Sequence, residues 1–227
     1  MKTNGKIQFN FKHALAKFGG NGGIKIKAEY DESDNNTKIT VKSITITTDG
    51  ANASGFTTGG TLNLATGVWS NPTTSSDVTY STTISDNLAA AIKEPATVEK
   101  WSDLTHTGVT TTAQDVFNTT EDNGFFLIPD ATLPNFKVTV DYFVRTKDDK
   151  LSKKYSETEN QITQTVSFGE AKAALNKRYS LTIILGMTSV KFDASVDNWG
   201  ESTSEGSESS ANVNLPINVT ETPTTGE

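Results

Sequence analysis

The chain has 227 residues, with 20 Lys and Arg against 27 Asp and Glu, a net charge of −7 and no Cys. A chain of this size hides roughly 70% of its unfolded surface, enough for one large all-β domain or two small ones. No stretch approaches the roughly 20 apolar residues of a membrane-spanning helix, an acidic pI of about 4.9 repels nucleic acid, and the missing thiols exclude disulfides, thiolate nucleophiles and Cys-type metal sites. His13 and His106 are the only histidines, which leaves little for acid–base or metal chemistry near neutral pH. The inventory suits a binding or structural protein, with no cofactor and no catalytic residue expected. Thr and Ser make up about a quarter of the chain, well above ordinary usage, and the branched β-carbon of Thr sits well on a pleated surface.

Alternation begins at once. Ile7, Phe9 and Phe11 interleave with Lys6, Gln8, Asn10 and Lys12, the pattern of a half-buried strand. No apolar signal region stands behind Met1 and Lys2, so either the protein stays inside the cell or a leader is missing from this chain. After the glycine-rich turn at 19–23, Ile24, Ile26, Ala28 and Tyr30 alternate with Lys25, Lys27 and Glu29. A polar loop at 31–36 precedes a third strand in which Ile39 and Val41 take one parity and Ile44 and Ile46 the other; a bulge near Ser43 accounts for the slip.

Residues 49–85 are rich in Gly, Thr and Ser, with weak strands around Leu62, Leu64, Val68 and Trp69. Residues 86–94 read as a short helix, capped by Ser85 or Asp86 and stopped by Pro95. Residues 97–123 read as a long loop.

Phe125, Phe126, Leu127 and Ile128 form a continuous apolar run, as in a strand buried on both faces. Phe136, Val138, Val140, Tyr142 and Val144 alternate cleanly, and the turn at 147–150 leads to a more polar partner. A strand at 161–168 is followed by one or two helical turns at 170–176. Tyr179, Leu181, Ile183 and Leu185 alternate before Gly186, and Val190, Phe192, Ala194 and Val196 alternate up to Trp199. Residues 201–210 contain no apolar side chain and read as a solvated linker. Beyond it Val213, Leu215, Ile217 and Val219 alternate with Asn212, Asn214, Pro216 and Asn218. Short strands with turn signals between them indicate an all-β antiparallel sandwich with a short helix and long Thr/Ser-rich loops. Its organisation is a sandwich region over 1–200, either one domain or the end of one domain plus a complete second one, then a linker over 201–210 and a C-terminal strand and tail over 211–227.

Three segments together resemble the fimbrillin-like proteins of Bacteroides-type bacteria. Phe9-Asn10-Phe11-Lys12-His13-Ala14-Leu15-Ala16-Lys17 is similar to their Phe-x-His-Ala-Leu-x-Lys strand. Phe125-Phe126-Leu127-Ile128-Pro129 resembles their Phe-x-Leu-Ile-Pro element, and the stretch from Lys177-Arg178-Tyr179 to Val196-Asp197-Asn198-Trp199 resembles their closing pattern. Order and spacing agree over roughly residues 6 to 200. The resemblance implies transthyretin-like sandwich domains in subunits of type V pili. It also implies export as lipoproteins to the outer membrane, trimming by a protease, and polymerisation by donor-strand exchange. Family members carry a lipoprotein signal and further sequence ahead of the Phe-x-His strand, so the chain is expected to lack an N-terminal portion, and with it the lipid anchor.

The tail then has two readings. Val213, Leu215, Ile217 and Val219 can be a donor strand filling a groove in a neighbouring subunit, through main-chain hydrogen bonds and side-chain pockets. They can equally form an edge strand on their own sandwich, which Pro216 favours because it has no N–H to give. The partners expected are other pilus subunits at the outer face of the cell surface. Trp69 and Trp101 flank the central loops and suggest an alternative, an adhesin module that binds host glycan or protein through residues 49–123; packing in the core or an interface is the commoner fate of Trp. His13 shares the parity of Phe9 and Phe11 and reads as a buried, hydrogen-bonded core residue, and His106 as an exposed loop residue. Residues 31–36 and 121–124 read as turns rather than calcium loops, because position six of the first offers Asn36 and position twelve Lys42.

Overall fold

Apolar side chains at every second position can all be buried only if each strand turns one face inward, and two such sheets must then share the buried face. The structure, a computed structural model, describes residues 13–20, 22–29, 36–48, 56–75, 81–104, 108–118, 124–187, 190–198 and 218–221. Thirteen strands run through these residues: β1 (Ala16–Phe18), β2 (Ile24–Ala28), β3 (Thr37–Thr48), β4 (Phe56–Asn63), β5 (Val68–Ser75), β6 (Ser81–Ile84), β7 (Gln114–Asp115), β8 (Phe125–Leu127), β9 (Phe136–Lys147), β10 (Tyr155–Ser167), β11 (Lys177–Leu185), β12 (Val190–Asn198) and β13 (Asn218–Glu221).

One sheet is antiparallel, in the order β13-β10-β9-β3-β6. The other is built on β11, which pairs with β12 on one side and with both β1 and β2 on the other; β8 lies beyond β1, and β7 beyond β2. A hairpin of β4 and β5 forms a third, two-stranded sheet. The protein is an all-β sandwich, with one departure from antiparallel order: β1 and β2 run parallel to β11. They come from the opposite end of the chain, so no tight turn fixes their direction.

β1 and β2 act as one interrupted strand. Gly19 (φ 66°), Gly20 (φ 76°) and Gly22 (φ 70°) take left-handed conformations, and the Gly19 N–H donates to Tyr179 O while the Leu181 N–H donates to Gly23 O. A Cβ on Gly23 would stand 2.3 Å from Gly19 O, so only glycine closes this turn.

The core joins both sheets. Ile24, Ile26, Tyr179, Leu181 and Ile183 meet Ile39, Ile44, Ile46, Val138, Val140 and Tyr142, all buried. At one end Phe18 stacks on Phe136 with ring centroids 4.3 Å apart, Phe125 lies 5.1 Å from Phe18, and Phe168 meets Phe18 and Phe136 edge-on at 6.0 Å. The change of parity in β3 is a register shift between Val41 and Ser43, which keeps Ile39, Val41, Ile44 and Ile46 all buried.

Several expectations are corrected. Residues 86–94 form turns rather than a helix, and the described residues hold no α-helix, only a 3-10 turn at Trp101–Asp103. The Val41 N–H donates to Ile92 O and the Glu94 N–H to Val41 O, so the segment takes up the edge of β3 that β6 leaves uncovered. Residues 170–176 are likewise not helical: Ala173 donates to Ala131 O and Leu133 to Ala171 O, a tertiary ladder that wins over local propensity. The run 125–128 is not buried on both faces, since Phe125 and Leu127 are buried while Phe126 is 55% exposed on β8 at the edge of its sheet. His13 is exposed rather than buried, its N–H donating to Asn176 Oδ1 at 3.0 Å. The expected strand at 6–12, the loop at 31–35 and His106 lie outside the described residues.

Two measurements check this packing. Phe136→Ala removes the ring on which both sheets meet and is expected to cost about 3–5 kcal/mol, read as a lower denaturation midpoint at unchanged slope. Burial pushes the Tyr142 phenol up to about 12. A raised folded pKa gives stability that is complete below the unfolded value near 10 and is lost as pH rises towards 12. Ultraviolet titration should therefore show a late-ionising tyrosine component that shrinks in Tyr142→Phe and leaves the contribution of Tyr179, whose phenol pKa burial also raises; ordinary ionisation of all tyrosines would contradict the packing.

Candidate functional site

Four features outside the core bear on function: the tail strand, the β4–β5 hairpin, Trp101, and a buried ionic cluster that sequence reasoning missed. Of the four tail residues, Val213, Leu215 and Ile217 lie outside the described residues, and Val219 lies in β13. β13 pairs antiparallel with β10 of the same chain, with Val219 opposite the buried Val166 and Glu221 opposite Gln164. It covers only Gln164 to Ser167 of β10. Among the described residues, no strand pairs with that edge of β10 over residues 155–163.

The hairpin is irregular at its base and tight at its tip. Register shifts between Thr57 and Gly59 and between Gly59 and Thr61 mark bulges. At the tip the Ala65 and Thr66 N–H groups donate to Asn63 Oδ1 at 2.9 and 3.2 Å, the Gly67 N–H donates to Asn63 O, and Gly67 takes φ 70°. This turn presents Leu64 at 88% and Val68 at 54% exposure. The half-buried Trp69 donates its indole N–H to Ala14 O at 2.6 Å, tying the hairpin to the chain ahead of β1. A Cβ on Gly60 would lie 3.2 Å from the Trp69 ring and 3.6 Å from Ile128, so glycine permits this approach. Between hairpin and sheet lies a cavity of about 420 Å³, lined by Leu15, residues 57–60, Trp69 and residues 126–128. Nothing charged lines it.

Trp101 does not line that cavity. Its N–H donates to Lys153 O, and the Lys38 ammonium lies 5.4 Å from its ring centroid while donating to Leu104 O at 2.6 Å. Burial lowers the Lys38 pKa from its ordinary value. The two tryptophans thus serve different places in the fold.

Arg145 is 3% exposed although it lies in β9 on the face opposite the core. Its Nη1 and Nη2 donate to Glu94 Oε2 and Oε1, both at 2.8 Å, and its Nε to Glu157 Oε2 at 2.6 Å. Thr40 completes the cluster by donating to Glu94 and accepting from Nη1, and the Phe143 ring lies 4.6 Å from the guanidinium carbon. Burial opposes the Arg145 charge, but the hydrogen bonds and charges of Glu94 and Glu157 outweigh it and raise the pKa. The sequence signal was small: an Arg directly after Val144, among only two in the chain. The cluster binds three strands to the segment after β6 and contains no nucleophile. Among the described residues no group of three His, Asp or Glu could hold a metal ion.

The chain matches the fimbrillin-like family over residues 1–199. It belongs to that family. A fimbrial protein from Bacteroides vulgatus has a similar fold, with TM-score 0.56 and 19% identity over 86% of this chain and 57% of that one. A proposed cell adhesion protein from Bacteroides uniformis gives TM-score 0.33 and 13% identity over 86% of this chain and 54% of that one. The fimbrillin-like chain thus spans a little over half the length of these solved structures. No curated protein matches it.

Glu94→Gln leaves the Arg145 guanidinium buried beside a neutral amide. It is expected to cost about 3 kcal/mol and to speed proteolysis within residues 85–104; a loss below about 1 kcal/mol would show that the cluster is ornamental to stability.

Proposed function

We propose that this fimbrillin-like chain is a non-catalytic structural subunit of a cell-surface fimbria that supports adhesion. Its partners are other pilus subunits, and assembly proceeds by β-strand complementation with Val213, Leu215, Ile217 and Val219 as the inserted face. Membership of the family supports the fimbrial role. The observation that carries the mechanism is the pairing of β13 with β10: a strand that lies beyond a stretch of ten residues without an apolar side chain adds to the edge of a sheet.

The same main-chain bonds can form within one chain or between two. Exchanging an identical element between copies costs little, because every contact is kept. Ten extended residues span up to roughly 33–36 Å. Four fully buried aliphatics would contribute roughly 6–12 kcal/mol gross, offset in part by ordering the linker.

The test is polymerisation of full-length protein carrying Leu215→Asp and Ile217→Asp. Loss of polymers with an intact fold is expected, and unchanged polymers would overturn the mechanism. Hydrogen exchange over 211–221 gives a second readout: faster in the monomer than in polymers for a donated strand, equal in both for one that closes its own sandwich.

A further inference from the structure

We infer that the β4–β5 hairpin is a second contact surface, on which two copies of this chain pair about a two-fold axis, the Leu64 tip of each entering the Trp69 cavity of the other. This surface is separate from the tail strand. Four observations carry it.

The first is charge. Residues 50–76 contain no Asp, Glu, Lys or Arg, in a chain of net charge −7. Two such copies repel one another over most orientations, and charged groups are depleted from the buried centre of interfaces. An uncharged hairpin lets them meet without desolvating a carboxylate.

The second is the knob. Leu64 is 88% exposed, with Val68 beside it at 54%, and the Asn63 carboxamide and Gly67 hold that turn in one shape. Little conformational freedom remains to be lost when the tip is buried. The third is the hole: an apolar cavity of about 420 Å³ along the side of the same hairpin, between residues 57–60 and Trp69 and walled also by Leu15 and Ile128.

The fourth is symmetry. Among the described residues β4 and β5 pair only with each other, so neither edge of the ribbon is taken up by a further described strand. From Leu64 to Gly60 the chain runs about 13 Å, so two hairpins set side by side in opposite directions with that offset bring each tip alongside the other's Gly60, where the cavity opens. The contact is then made twice and closes on itself. A membrane or a glycan would meet the tip alone and leave the cavity without an occupant from the same hairpin.

The chain has no native thiol, so single-cysteine variants report the geometry directly. Leu64→Cys mixed with Thr58→Cys, two exposed positions, should give a covalent dimer under mild oxidation, and Leu64→Cys alone should give much less. In sedimentation velocity the parent chain should dimerise with concentration, and Leu64→Asp should raise the dissociation constant by about tenfold or more. The Leu215→Asp, Ile217→Asp chain should dimerise unchanged even where polymers are lost, which separates this contact from the tail strand. A monomer at all concentrations, cross-linking as strong for Leu64→Cys alone, or a dimer abolished by the tail substitutions would each overturn the inference. So would Leu64-dependent binding of monomers to lipid vesicles or immobilised glycans without dimers.

Discussion

Phe18 against Phe136 is the contact on which the rest of the arrangement depends. One ring comes from the interrupted strand of the β11 sheet and the other from the start of β9. Phe125 and Phe168 close around them, so four segments distant in sequence are fixed by one cluster. Holding Phe18 there obliges the chain to leave β11 and rejoin it six residues later as β2, which the glycines at 19, 20, 22 and 23 allow. The other end of β9 is held differently. Arg145, roughly 30 Å along the strand, ties Glu94 and Glu157 to it. A dispersion-bound end and an ion-bound end thus clamp the same sheet. The aromatic end holds by apolar contact, while at the other end the Arg145–Glu94 pair joins the segment after β6 to β9.

The strands were legible because their period is two and the core faces one way. The alternations in β2, β9, β11 and β12 all lie where the sequence places them, and the parity change in β3 marks the bulge between Val41 and Ser43. The two helices failed for a common reason. At 86–94 and 170–176 a few Ala and Leu residues favour a helix locally, but a neighbouring backbone offers hydrogen bonds at the same time: Val41 to the first, Ala131 and Leu133 to the second. Isolated helices this short are marginal, so tertiary partners decide. Phe126 was misjudged because a run of four apolar residues cannot reveal that its strand is at an edge.

The candidate surfaces were legible in part. The tail announced itself by alternation after a polar linker, and its described end does pair as a strand. Trp69 was singled out as one of two tryptophans flanking the central loops, and its setting depends on Gly60 and Ile128, which nothing in the sequence connects to it. Trp101 carried the same signal and lies instead over a Lys38 ammonium. Arg145 was invisible, because its three partners stand 12, 51 and 105 residues away.

The abundance of threonine now has a physical account. Thr83, Thr45, Thr139 and Thr163 form one row across β6, β3, β9 and β10, with hydroxyls paired at 3.0 and 2.8 Å. Such positions need a side chain that favours strands yet tolerates water, and Thr provides both without a charge. That choice matters in an acidic chain. Residues 50–76 and 211–220 are both uncharged, while the linker between sandwich and tail keeps Glu201, Glu205 and Glu208. Charge thus stands on the segment proposed to remain in water and is absent from the two segments proposed to meet another copy. A uniformly charged surface would give solubility at the expense of association; by using Thr and Asn where most proteins place Lys and Glu, this chain keeps its net repulsion and still leaves two surfaces on which close approach costs no desolvated charge.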